Sequence, residues 1–372
     1  MKTIRRLIYG EVLAAVGFVL LAFLSLFFFF DFVDELGDLG RAAITDPAQL
    51  YGLREALIYV ALLVPSHIYE LMPIAVLIGS VFVLARLAQG SEYTILRTSG
   101  LGPWRALSIL LGLGAVFVVL TFAIGDYLAP AADRTAQLLK ANYKGGISIG
   151  QTGAWLKEKQ ADNNFSVNVG ALSPRGELTQ VRIFEFDNRG FLVSTLQAQT
   201  GQIEGDDSWT LKNVQRREFD TASLASARIT RTELPSLRWP SSLSTEMVSV
   251  ALLQPDRMRT ADLFAYVQHL EANGQTAQRY EIEFWRKVFY PLSCLVMVVL
   301  ALPFAYLHFR SGSITGYVFL GVMIGISFFL LNNVFGYIGN LRQWQPWLAA
   351  ASPALIYSVV SLGAFGWLVL KR

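Results

Sequence analysis

Charge, cysteine and histidine are all scarce in this chain, and each shortage removes a class of function. Only 16% of the 372 residues are charged while 53% are hydrophobic, which excludes an ordinary water-soluble globule. The single cysteine, Cys294, lies in an apolar run. No disulfide forms within the chain, so a part lying in an oxidising compartment must rest on its own core. The three histidines, His67, His269 and His308, fall in separate segments, and no H-E-x-x-H pattern occurs. Metal or protease catalysis therefore has no support, and no catalytic or metal-ligating residue is assigned. No lysine follows a glycine, so there is no Gly-Lys-Ser/Thr phosphate loop and the chain is not an ATPase of that type. A net charge of +3 is too small to imply nucleic acid. Few ionisable residues fall inside the apolar runs, which argues against a proton- or sodium-coupled carrier.

What the chain does have is apolar length. Val12 to Phe30, Ala106 to Gly125, Val288 to Leu307, Ile314 to Ile338 and Trp347 to Leu370 contain no charged residue. Each meets the requirement of about 20 apolar residues for a spanning helix. A sixth run, Ala56 to Leu84, carries His67, Glu70, Pro65 and Pro73, so it is expected to be a bent or broken span. The first run is too long for a signal-peptide core and no small-x-small site closes it, so it is expected to stay uncleaved. Between the third and fourth spans lies a polar block, Pro130 to Arg279, with 17 basic and 16 acidic residues. Something has to fold there in water. The expected fold class is membrane α-helical, six transmembrane helices with an inserted all-β jelly-roll-like domain. Residues 1–129 are assigned to spans one to three, with a coupling helix near 91–99. Residues 130–259 form the β domain, and 260–372 form a connecting helix and spans four to six.

Lys and Arg in short loops stay in the cytoplasm. With a cytoplasmic N-terminus, the inner segments collect Lys2, Arg5, Arg6, Arg86, Arg97, Arg105, Arg310, Lys371 and Arg372, against Arg41, Arg54 and Arg342 outside. Both termini are then cytoplasmic, and the β domain lies in the periplasm of a Gram-negative cell.

Four stretches invite function. At the outer end of the first span, Asp31, Asp34 and Glu35 are either a solvated helix end or the rim of a cavity. Asp31 and Glu35 share a helix face and need an offsetting cation. The loop Gly90 to Gly100 reads as a short helix with Ser91 as N-cap, Glu92 in the first turn and Gly100 as stop. Its Tyr93, Ile95 and Leu96 would be exposed, suiting either a docking helix or a plain interfacial turn. The polar block reads as strands at Gly153–Lys159, Asn164–Leu172, Thr179–Asp187, Phe191–Gln199, Trp209–Arg216, Ala225–Glu233 and Thr245–Leu252. Phe165, Val167, Val169 and Ala171 alternate and should face inward. Val181 to Phe186 is apolar on both faces, from ordinary sandwich packing or as a groove for acyl chains; Phe184 is taken as a further inward position. Thr260 is expected to cap an amphipathic helix, Ala261 to Ala272. At the start of the fourth span, Arg286 and Lys287 lie against the positive-inside bias. They either snorkel to headgroups or hold an anionic ligand.

Leu87-Ala88-Gln89-Gly90-Ser91-Glu92 followed by Thr98-Ser99-Gly100 resembles the coupling helix of the lipopolysaccharide-export permease family, the LptF/LptG type. Arg279-Tyr280 to Phe284-Trp285-Arg286-Lys287 to Pro291-Leu292 resembles the start of that family's fourth span, and Phe32-Val33-Asp34-Glu35-Leu36 the end of its first. The likeness covers the whole chain and sits nearer the LptG-like partner than the LptF-like one. It implies a non-catalytic permease subunit with no cofactor of its own, ATP being used by a cytoplasmic ABC ATPase dimer. It further implies a second permease of the LptF type, an inner-membrane single-span partner, a periplasmic bridge protein, and lipopolysaccharide as cargo. Coupling to the ATPase would fall to Glu92, Tyr93, Leu96 and Arg97. Asp31, Arg286, Lys287, Phe165, Val167 and Phe184 are the candidate ligand contacts. Some members carry lysines at the outer end of the first span, where this sequence has Asp31 and Asp38. The competing readings are a membrane-anchored periplasmic binding or scaffold protein, for which six spans are excessive, and a mechanotransmission permease, where four are more usual.

Overall fold

The computed structural model describes residues 2–43, 49–144, 153–160, 163–173, 176–204, 208–220, 228–243, 247–248, 255–306 and 314–370. Two compact units divide them. One comprises residues 1–33, 63–132 and 278–372, the other 34–62 and 133–277.

The first unit is helical. Its helices are α1 (Lys2–Glu35), α2 (Leu53–Gln89), the short α3 (Glu92–Thr98) and α4 (Pro103–Ala123). A π-helical turn, Ile124–Leu128, leads from α4 into α5 (Ala129–Lys144). Among the described residues five helices are long and apolar enough to cross a membrane, or six with a bent pair taken as one span. That pair is α7 (Gln278–Phe289) and α8 (Ser293–Ala301), which meet at 46°. The last two are α9 (Ile314–Leu341) and α10 (Pro346–Leu370). Helices pack closely through glycine: a Cβ on Gly79 would fall 2.8 Å from the Val16 backbone nitrogen, and one on Gly339 2.4 Å from the Ala349 Cβ. In lipid, where apolar burial gives little drive, such close backbone approach is what joins helices.

The second span, expected to be bent or broken, is not broken. Despite Pro65 and Pro73, α2 is continuous over 37 residues. The span that breaks is the fourth, read from sequence as one run from Val288 to Leu307. Pro291 has no N–H to give. Ser293, Cys294 and Leu295 each donate three residues back, to Tyr290, Pro291 and Leu292, so the chain turns before α8 begins.

The second unit holds the inserted β domain. Strands β1 (Ala154–Lys159), β2 (Asn164–Leu172), β3 (Glu177–Phe186), β4 (Leu192–Glu204), β5 (Ser208–Asp220) and β6 (Arg228–Pro240) form one antiparallel sheet in chain order. The later strands are longer than the sequence suggested. The expected strand Thr245–Leu252 lies outside the described residues except for 247 and 248. The sheet curls so that the C-terminal end of its last strand approaches the first two, the rest of β6 staying unpaired on one side among the described residues. Trp239 on β6 packs edge-on to Phe165 on β2 at 5.8 Å and to Trp209 at 5.3 Å. Buried Glu158 on β1 accepts hydrogen bonds from the Ser241 and Ser242 hydroxyls and the Ser242 N–H, just past β6. Helix α6 (Thr260–Ala272) has Arg259 rather than Thr260 at its N-cap position, with no side-chain cap. It ends in a left-handed Gly274, with Gly274 N–H on Glu271 and Gln275 N–H on Leu270. The neighbouring Asn273 carboxamide oxygen accepts the Lys159 N–H at 3.1 Å.

Candidate functional site

The short helix between α2 and α4 is fixed at both ends, though not by the expected cap. Ser91 sits in the left-handed region with φ 59° and its hydroxyl caps nothing. The stop does form. Gly100, at φ 96°, donates to Arg97 and Leu101 donates to Leu96, closing a Schellman turn. This aims the seven residues so that their faces differ. Tyr93 is 2% exposed and stands edge-on to Tyr306 at 5.1 Å, and the Arg97 guanidinium lies over the same ring at 5.3 Å. Leu96 is half-buried, whereas Glu92 is exposed and Ile95 is 62% exposed. The expectation that Tyr93 is a surface contact is therefore corrected. It anchors the helix, and the free face is Glu92, Thr94 and Ile95. Tyr306 lies 213 positions further along the chain, so no local pattern pointed to it.

At the other end of the helical unit, the two adjacent cations do not act as a pair. The Lys287 ammonium is buried and donates to the Gly125 carbonyl at 3.1 Å, inside the π-helical turn. A π-turn leaves backbone carbonyls off the α pattern, and here a side chain takes one up. Arg286 is ion-paired with Glu283 at 2.7 Å and donates to the Asn333 carboxamide at 3.2 Å. Both groups have partners inside the protein and Lys287 is buried, which corrects the expectation of a joint outward pair. Beside them the Tyr290 hydroxyl donates to the Glu70 carbonyl at 2.5 Å, in the α2 turn preceding Pro73. Its ring lies 5.1 Å from that of Tyr69, which itself covers Gly125. Neither Tyr290 nor Gly125 was singled out from the sequence.

The acidic end of α1 is likewise neutralised. Asp31 meets His67 Nε2 at 2.7 Å, with Phe27 stacked on that imidazole at 4.9 Å. In the second unit, buried Glu35 takes the Lys140 ammonium and the Tyr51 hydroxyl, the latter at 2.8 Å. Lys140 also reaches Asp38 at 3.5 Å and lies over the Tyr59 ring at 4.4 Å. Burial, reinforced by the Glu35 carboxylate, pushes the Tyr51 hydroxyl well above the usual phenol range. Asp34 alone of these acids is exposed without an ion pair among the described residues. The offsetting cation expected for Asp31 and Glu35 is present for Glu35 as Lys140, while Asp31 has the His67 imidazole as its partner.

On the sheet, Phe165 is 8% and Val167 0% exposed, both on the inner face with Val181, Ile183, Leu196 and Val214. Phe184 is not with them. It pairs with Ser166, between Phe165 and Val167, so it points to the other face, where it stacks on half-exposed Trp155 at 5.8 Å. Adjacent strand residues alternate faces, and with Ile183 buried Phe184 has to be outward.

Up to six membrane-length helical segments among the described residues, with a six-stranded sheet inserted at their midpoint in the chain, define a polytopic membrane protein. The model of the family described as lipopolysaccharide export system permease LptF/LptG matches residues 6–370, and the chain belongs to that family. It is 29% identical over 344 residues to the lipopolysaccharide export system permease protein LptG of Escherichia coli strain K12, covering 92% of this chain and 90% of that one. To the protein of the same name from Haemophilus influenzae it is 26% identical over 374 residues, covering 100% and 99%.

Proposed function

We propose that this chain is the permease subunit of an ATP-driven transporter that draws lipopolysaccharide from the inner membrane and passes it to a periplasmic bridge. The family membership supports the cargo and the membrane. The observation that carries the coupling is the split surface of α3, where Tyr93 is held at 2% exposure while Ile95 stands 62% exposed beside Glu92. A rigid helix with one apolar and one acidic group outward suits the groove of a cytoplasmic ABC ATPase dimer, which binds the ATP; this chain needs no cofactor of its own. In this reading both termini are cytoplasmic and the β domain is periplasmic. A second permease of the LptF type and a single-span inner-membrane protein complete the assembly. The apolar inner face of the sheet, with Phe165 and Val167, supplies the cover that acyl chains need in water, where each exposed CH₂ costs about 0.8 kcal/mol.

The test removes the exposed face and leaves the anchor. Glu92→Ala with Ile95→Ser should lower co-purification of the ATPase about tenfold or more, with insertion and melting temperature unchanged, since leaving a buried partner charge unpaired costs about 2–5 kcal/mol. Wild-type co-purification and export would sink the coupling role.

A further inference from the structure

One line of irregularity crosses the sheet. The ladder omits Gly170 against Gln180, Gln180 against Gln199, Gln199 against Asn213 and Asn213 against Pro235. At this line Gln180 and Asn213 adopt left-handed backbone, φ 54° and 52°. On each of β3 and β5 the inner face then repeats after three residues instead of two, Leu178 to Val181 and Leu211 to Val214, so the apolar face stays inward across the kink. The outer face folds into a groove of about 680 Å³ along the same line. That volume falls within the range of small-molecule sites, about 300–1,000 Å³.

The groove is lined by carboxamides. Arg182, Gln197, Gln215 and Glu233 stand in one cross-strand row, each paired with the next, and the row continues through Asn168 to Trp155 on the first strand. Gln180, Gln199 and Asn213 form the adjoining row, with Asn213 Nδ2 donating to Gln199 Oε1 at 2.9 Å. One arginine and one glutamate cancel, so the groove favours neither anions nor cations. A carboxamide offers donors and an acceptor in one planar group, which matches neighbouring sugar hydroxyls that both give and take. Trp155, half exposed and stacked on Phe184, stands at the far end of the Arg182 row, beyond the groove lining. Non-glycine residues held at positive φ cluster where a surface binds something.

We propose that this outer groove binds carbohydrate, its occupant being the saccharide portion of the transported glycolipid; that identity rests on the proposed function, whereas the carbohydrate chemistry does not. The probe is lipopolysaccharide core oligosaccharide freed of its lipid, added to the full-length chain in nanodiscs and followed by saturation-transfer NMR. Saturable transfer is expected, weakened at least tenfold in Gln197→Ala/Gln215→Ala and unchanged in Phe264→Ala, a distant exposed control. No transfer, or equal transfer to the double variant, overturns the proposal. A photo-cross-linker at Gln199 should capture glycolipid carrying its core sugars and not a form truncated to its lipid moiety during export. Equal capture of both removes the saccharide assignment. If neither lipid is exported or captured anywhere on the chain, including at Val167, the transport reading fails while oligosaccharide binding still decides the groove.

Discussion

Among the proline-bearing spans the second and the fourth make the sharpest contrast, since only the fourth breaks. Helix α2 keeps Pro65 and Pro73 inside 37 continuous residues, while the fourth span bends by 46° at Pro291. A proline removes one N–H wherever it stands, so the missing bond alone does not decide the outcome. The neighbours do. The Glu70 carbonyl, in the turn before Pro73, is met by the Tyr290 hydroxyl from the break in the other span. Pro73 itself frees the Tyr69 carbonyl, four residues back; the Tyr290 hydroxyl bonds the next carbonyl, so the broken span braces the same turn of the unbroken one. The same span sends Lys287 to the π-turn carbonyl of Gly125. The irregularities of three spans thus satisfy one another.

The comparison breaks most completely at Gly125. A Cβ there would lie 2.2 Å from the Tyr69 ring, so Gly125→Leu forces ring and π-turn apart. The expected cost is about 3 kcal/mol or more, seen as lost monodispersity and a large fall in melting temperature in detergent; a wild-type melt would show that the π-turn is not tied to α2. Next comes Lys287→Met, which keeps the packing and leaves a buried carbonyl short of a donor, at about 1–3 kcal/mol. Solvent protection of the backbone around Gly125 should fall while that of α10 holds, and uniform exchange across both would refute a local role. The smallest effect belongs to Tyr290→Phe, about 0.6 kcal/mol on the scale of interhelical bonds in membranes. Faster hydrogen exchange near Pro73 than near Pro65 is the expected signature, and equal change at both would detach the hydroxyl from α2's continuity.

The spans and most strand positions could be read from sequence because they depend on local periods, as does the glycine stop at Gly100. The break was misread because proline counts were taken as decisive, when the deciding partners, Tyr290 to Glu70 and Lys287 to Gly125, lie 220 and 162 residues apart. Tyr93 looked like surface for the same reason: nothing near it in the chain announces Tyr306. Arg286 and Lys287 stood out as charges, yet a sequence window cannot show where a charge is already spent. Phe184 went to the wrong face because aromatic residues were assumed to face inward on a strand whose buried set was already complete with Val181 and Ile183.

The last strand has a further consequence, for self-association. Strand β6 forms an edge of the sheet among the described residues and carries Pro235 along with exposed Arg228, Arg231, Glu233 and Arg238. A sheet edge is a template that any passing extended chain can extend. A residue without an N–H at mid-strand cuts the 13-residue edge into two short stubs, and the charges repel copies of themselves. The interrupted, charged edge therefore resists seeding fibrils, and any strand added there would meet a gap at its centre.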